Sequence, residues 1–169
     1  MTTLAGPAAG STDNNSTDGT GSDARFYQPY GITTDGTNLY VSDYGNNKVR
    51  KVVISSGVVT TLAGPAAGTT TEGDADGTGT DARFKGPSGI TTDGTNLYLG
   101  GWSNNKVRKI VISSGVVTTL AGPAAGTTTS GDTDGTGTDA RFYGPAEITS
   151  NGTYLYVVEF NNNKIRRIE

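Results

Sequence analysis

Cysteine and histidine are both absent from the 169 residues. Without cysteine there are no disulfides, thiolate zinc sites, iron-sulfur clusters or thiol nucleophiles. Without histidine there is no Ser-His-Asp triad, no imidazole metal ligand and no imidazole general base. Apolar residues are scarce as well, at 33%, which is thin for one isolated core. No apolar run approaches the roughly 20 residues that span a bilayer. The opening MTTLAGPAAG lacks the basic and apolar regions of a signal peptide, so the chain reads as soluble with no membrane partner. Positive charge is in deficit: 13 basic against 16 acidic residues give a net charge of -3, which offers phosphate backbones no general attraction.

Glycine is what the chain has in excess, 26 residues, and repetition explains most of it. Thr-Thr-Leu-Ala-Gly-Pro-Ala-Ala-Gly begins at Thr2, Thr60 and Thr118, and Asp-Ala-Arg-Phe at Asp23, Asp81 and Asp139, a period of 58 without insertions. Between 57–111 and 115–169, 39 of 55 aligned positions are identical, as expected of recently amplified copies or of an engineered chain.

Each copy carries four strand signals. In the second copy these are Gly89 to Thr92, Asn96 to Leu99, Lys106 to Ile112 and Val116 to Ala121, rich in β-branched and aromatic residues. Asp93-Gly94, Asn104-Asn105 and Ser114-Gly115 mark the turns between them. No helical period intervenes. A four-stranded meander of this size exposes two apolar faces, and radial stacking of such sheets covers both. The segment from Phe84 through Pro87, Gly89 and Ile90 to Asn96-Leu97-Tyr98, followed by Asn104-Asn105-Lys106-Val107-Arg108-Lys109, resembles the NHL repeat of β-propellers in all three copies. The resemblance implies a blade with Gly-Ile-Thr-Thr on its inner strand and Val-Val-Thr-Thr-Leu-Ala-Gly on its outermost strand. It implies no activity, because the family contains binding modules, RNA readers and enzymes.

The expected architecture is therefore an all-β propeller with three four-stranded antiparallel blades per chain. Residues 1–6 would be an outer strand completing a partner's blade, 7–64 blade one, 65–122 blade two, and 123–169 a third blade lacking its outer strand. Three blades do not close a ring. The expected partner is the chain itself, as a homodimer forming a six-bladed ring, or as a homotrimer with nine blades. Thr2, Thr3 and Leu4 of one copy would pair with Lys164, Ile165 and Ile168 of another.

Four constellations bear on chemistry. Asp74, Asp76 and Asp81 alternate with glycine and resemble a calcium loop, yet the closing bidentate glutamate is missing and Ser16 replaces the first aspartate in copy one. The preferred reading is a glycine-rich turn with no cofactor, side chains capping amides. Arg25, Arg83 and Arg141 are expected to pin that loop to carboxylates or carbonyls. The remaining basic residues lie almost entirely at repeat positions of the third strand, which spreads them around the ring instead of concentrating them for nucleic acid. Finally, the copies differ mostly at 27–31 and 41–45 and their equivalents. These sites put Tyr30, Asp43, Tyr44, Trp102, Glu147, Glu159 and Phe160 on one face, where a sugar, peptide or cation would be the ligand unless the aromatics serve blade packing. The functional expectation is a non-catalytic, self-assembling scaffold or interaction module. The alternative is a metal-dependent hydrolase or lyase on a six-bladed ring, as the resemblance allows.

Overall fold

Hairpin chemistry fixes the strands. In the computed structural model, which describes every residue except 9, 12 and 14, the Asp35 carboxylate accepts the N–H groups of Thr37 (2.9 Å) and Asn38 (2.7 Å) and the Tyr40 hydroxyl (2.7 Å). Gly36 beside it takes φ 88°, a left-handed conformation that costs glycine little. Asp93 repeats the arrangement with Thr95, Asn96 and Tyr98, and Asn151 caps Thr153 and Tyr154 in the third copy. The next turn ends on Asn47, Asn105 or Asn163, at φ 56°, 55° and 54°, which asparagine tolerates better than most residues.

Among the described residues these turns separate thirteen strands: β1 (Gly19–Thr20), β2 (Pro29–Thr34), β3 (Asn38–Asp43), β4 (Lys48–Val53), β5 (Val58–Ala63), β6 (Gly77–Thr78), β7 (Pro87–Thr92), β8 (Asn96–Gly101), β9 (Lys106–Val111), β10 (Val116–Ala121), β11 (Pro145–Ser150), β12 (Leu155–Glu159) and β13 (Lys164–Ile168). All pair antiparallel, in the orders β1-β5-β4-β3-β2, β6-β10-β9-β8-β7 and β11-β12-β13. The two-residue strands β1 and β6 were not expected. Each comes from the loop preceding its sheet and fastens to the outermost strand, Gly19 opposite Val59 and Gly77 opposite Val117. The third sheet has three strands, and Gly135-Thr136, equivalent to β1 and β6, pairs with no strand among the described residues.

The inner strands β2, β7 and β11 lie side by side, so the sheets stand in a row. Tyr40, Val49 and Ala63 of the first sheet pack on Phe84, Ile90, Leu97 and Leu99 of the second. Val107 and Ala121 of the second pack on Phe142, Ile148, Leu155 and Val157 of the third. Gly31 and Gly89 let the inner strands approach: a Cβ at Gly31 would come within 2.8 Å of the Ser88 carbonyl, and at Gly89 within 2.5 Å of the Ala146 carbonyl. Residues 1–6 form no strand within the chain, and the strand expected of them is one paired with a second copy. They are nonetheless held by the following sheet as β5 and β10 are: Gly6 N–H donates to Gly21 O (3.0 Å), as Gly64 does to Gly79 and Gly122 to Gly137 (both 3.1 Å).

The hairpin carboxylates make acid sensitivity calculable in sign. Hydrogen bonds from Asn38, then Tyr40 and Thr37, hold Asp35 well below the usual carboxylate range. At Asp93 partial burial opposes the same set of bonds and loses to them. A depressed folded-state pKa contributes stability above the unfolded value, about 4, and that stability is lost as pH falls through the folded value. The Asp35→Asn, Asp93→Asn variant, which copies Asn151, should therefore melt with a flatter pH dependence below about pH 4 than the parent. An unchanged acid slope would show that these two carboxylates do not set it.

Candidate functional site

The strand ends that the sequence placed on one face are divided between a buried electrostatic layer and an aromatic rim. Asp43 and Glu159 belong to the layer. Both are fully buried, not offered to solvent. Asp43 accepts Tyr27 N–H (2.8 Å) and Asn46 Nδ2 (2.9 Å) and pairs with Arg50 (2.8 Å). Glu159 accepts Tyr143 N–H (2.9 Å), Asn162 Nδ2 and Arg166. The physical reason is that a part-buried loop amide and a guanidinium largely removed from water at each position need an acceptor. In the second sheet Gly101 stands at this place, and Asn104 Oδ1 accepts the Lys85 N–H (2.8 Å) instead.

The third-strand cations, read from the sequence as spread around the ring, are the largest surprise. Lys48, Arg50, Lys106 and Arg108 are buried. Arg50, Arg108 and Arg166 lie 5.0, 5.3 and 5.2 Å from the ring centres of Phe26, Phe84 and Phe142, a cation-π stack in each sheet. Lys106 pairs with Asp74 (2.6 Å) and Lys164 with Asp132. Ser16 stands where those aspartates would be in the first sheet, so among the described residues the Lys48 ammonium bonds only the Ala66 carbonyl (2.7 Å). Burial, then repulsion from Arg50, brings it down to about 8. The signal for this layer was in the sequence: Asp18, Asp76 and Asp134 recur with Arg50, Arg108 and Arg166 in every copy.

The calcium-loop candidates do not converge. Asp74 is taken by Lys106 and Arg108, Asp76 by Arg108 and Thr119, and Asp81 lies in a 3-10 turn. Among the described residues no group of three acidic side chains is placed to hold a metal. Arg25, Arg83 and Arg141 pin their loops through carbonyls, Ser22 and Ala24, Thr80 and Ala82, Thr138 and Ala140.

The aromatics bridge sheets. Tyr44 lies against Gly86 of the next sheet, and Trp102 lies near Gly144 and 5.2 Å from Phe160. Tyr30 stacks at 6.2 Å on Tyr44. Tyr30, Phe160 and Glu147 remain exposed, and partial burial pushes the Glu147 carboxyl up.

Both ends of the row are open and apolar. Ile32 is 62% exposed, whereas its equivalents Ile90 and Ile148 are 5% and 6% exposed. With Phe26, Leu39, Val41, Val52 and Leu4 it lines a hollow on the first sheet. At the other end Ile165 is 75% exposed, whereas its equivalents Val49 and Val107 are wholly buried. Of the assembly candidates, Thr2, Thr3 and Leu4 are exposed beside the first face, Lys164 and Ile165 are exposed on the second, and Ile168 is half-buried. No helix is long and apolar enough to cross a membrane among the described residues.

No protein-family model matches the chain. It is similar to NHL repeat-containing protein 2 of Bos taurus, 31% identical over 157 residues, 86% of this chain and 21% of that protein. Its similarity to the Homo sapiens protein of the same name is 31% over 154 residues, 85% and 21% of the two chains. The chain thus spans about a fifth of the length of these curated relatives. Among solved structures it resembles a protein of unknown function from Bacteroides thetaiotaomicron, with a TM-score of 0.71 and 27% identity over 82% of this chain and 34% of that one. An auxiliary nutrient binding protein from Bacteroides ovatus shares the fold, with a TM-score of 0.67, 23% identity, and 79% and 35% of the two chains. With its meander repeated three times, its Gly-Ile inner strands side by side and these relatives, the chain belongs to the NHL-repeat β-propeller family.

Proposed function

We propose that the chain is a non-catalytic NHL-type interaction module whose ring of six blades closes between two copies, each lending its N-terminal segment to the other's third blade. One observation carries the reading: the two open faces are the two halves of the seam already used twice inside the chain. Ile165 and Tyr156 occupy the places of Val49 and Tyr40 in the first seam, and Ile32 that of Ile90. Burying an aliphatic side chain of this size contributes about 1.5–3 kcal/mol, and a two-fold ring would contain the seam twice.

The polar part of the seam is matched too. Asn47 reaches the next sheet, donating to Thr70 O and accepting Gly86 N–H (both 3.0 Å). Asn105 does the same with Thr128 (2.8 Å) and Gly144 (3.0 Å). Asn163 has the same left-handed backbone, and its side chain has no hydrogen bond among the described residues; the equivalent donor to its Oδ1 is the Gln28 N–H of a second copy. Glu147 makes this seam unlike the other two. It replaces the glycine that lets inner strands touch, so the inner strands stand further apart where copies meet, with two carboxylates near the axis.

Light scattering of purified protein at micromolar concentration should give about twice 17.3 kDa. A folded species of 17.3 kDa overturns the reading, and three times that mass replaces six blades by nine.

A further inference from the structure

In both complete sheets one aspartate fastens the outermost strand. Asp18 accepts the Thr61 N–H (3.0 Å) on one oxygen and the Thr61 hydroxyl (2.9 Å) on the other. Asp76 holds Thr119 in the same way, at 3.0 and 3.2 Å. Each also pairs with the arginine of the adjoining strand, Arg50 (2.8 Å) or Arg108 (2.5 Å). The register places that arginine directly opposite the threonine, Arg50 with Thr61 and Arg108 with Thr119. Three residues of two strands and one loop are thereby joined.

Asp134 is the third member of the set. It pairs with Arg166 but holds no threonine, and its side chain is 97% exposed against 32% and 34% for Asp18 and Asp76. The residue one period from Thr61 and Thr119 is Thr3, at the other end of the row of sheets, within the same Thr-Thr-Leu-Ala-Gly segment. That segment is held by Gly21 in the way the outer strands are held by Gly79 and Gly137. Its Leu4 and Thr3 border the open apolar face.

We infer that Asp134 is a clasp for a second copy of this chain: its carboxylate accepts the main-chain N–H and the hydroxyl of that copy's Thr3. The inference rests on the pairing of copies proposed above and specifies which atoms select the incoming strand. Carried over from β4-β5 and β9-β10, the register sets Arg166 opposite Thr3, Arg167 opposite Thr2 and Ile165 opposite Ala5. Gly135 then gains Met1 as the neighbour that Gly19 has in Val59 and Gly77 has in Val117. A hydroxyl and an amide both aimed at one carboxylate are charge-assisted bonds, which discriminate the register of a strand better than apolar contact alone.

The test is a double-mutant cycle on the dimer dissociation constant, measured by sedimentation over a dilution series. Thr3→Val keeps the shape and removes the hydroxyl; Asp134→Ala removes the acceptor. Thr3→Val should weaken association about tenfold and Asp134→Ala by about a hundredfold, since each ring holds two clasps. The double variant should be no weaker than Asp134→Ala alone, because the two changes remove one interaction. Independent, multiplying effects, or an Asp134→Ala dimer as tight as the parent, would overturn the clasp while leaving pairing intact. A monomeric parent would instead remove the pairing itself. Circular-dichroism melting at high dilution keeps the cycle decisive: equal melting of the diluted Thr3→Val and parent chains assigns the loss to association.

Discussion

Ile165→Asp is expected to leave the protein folded and monomeric at concentrations where the parent, paired as proposed, sediments as a dimer. In the two seams inside the chain this position is a valine with no exposed surface, Val49 or Val107, whereas at the free end Ile165 faces water. The substitution therefore adds a charge where the isolated chain tolerates it and where the paired chain would have to bury it without a partner. A buried, unpaired carboxylate costs several kcal/mol beyond the lost apolar contact, and two seams double that, so association should weaken by at least about a thousandfold. Ile32→Asp attacks the opposite half of the seam and should do the same. Glu147→Gly should act in the other direction. It restores the residue that permits close approach of inner strands elsewhere and removes a carboxylate already raised by desolvation, so the dimer should tighten by about tenfold or more. Sedimentation of the three variants beside the parent decides the matter. An Ile165→Asp chain that keeps the parent's mass would mean that this face takes no part in assembly.

What could be foreseen, and what could not, follows from the range of the interactions concerned. The period of 58, the turn residues and the strand composition are local, and from them the meanders at 29–63, 87–121 and 145–168 were legible almost to the residue. The three-stranded third sheet followed from the same alignment of copies. The short strands β1 and β6 were not legible, because a two-residue Gly-Thr is too short to carry a strand signal and the aspartate before it lies 43 residues from the threonine it binds. The buried cations were missed for a related reason. Lys48 and Arg50 look like the solvent side of a strand, yet the Ala66 carbonyl holds the first, and Asp43, Asp18, Phe26 and the carbonyls of Thr17 and Arg25 hold the second. Of the variable positions, Asp43 and Glu159 face inward. Variation between copies marked a place where the same electrostatic need is met in different ways, and not exposure.

That last point yields the largest stability effect expected of any single substitution here. In the first sheet a carboxylate sits at Asp43 and Ser16 is neutral; in the second, Asp74 carries the charge and Gly101 has no side chain; in the third, Asp132 and Glu159 are both present. Asp43→Ala removes the acceptor of the Tyr27 amide and of Asn46 and leaves Arg50 with Asp18 and two carbonyls. Both members of the Arg50 and Asp43 pair are wholly buried, and breaking such a pair from one side typically costs about 3–5 kcal/mol. For a chain of this length that corresponds to roughly 10 °C of melting temperature. Ser16→Asp in the same chain should recover much of the loss. It sets a carboxylate where Asp74 meets Lys106 and Arg108, and so gives Lys48 the ion pair it lacks and Arg50 a second anion. The Lys48 ammonium should then titrate well above about 8. If Asp43→Ala melts with the parent, the remaining bonds of Arg50 suffice. If it melts early and Ser16→Asp brings nothing back, the two positions are not alternative seats for one charge, and the buried layer of each sheet is wired separately.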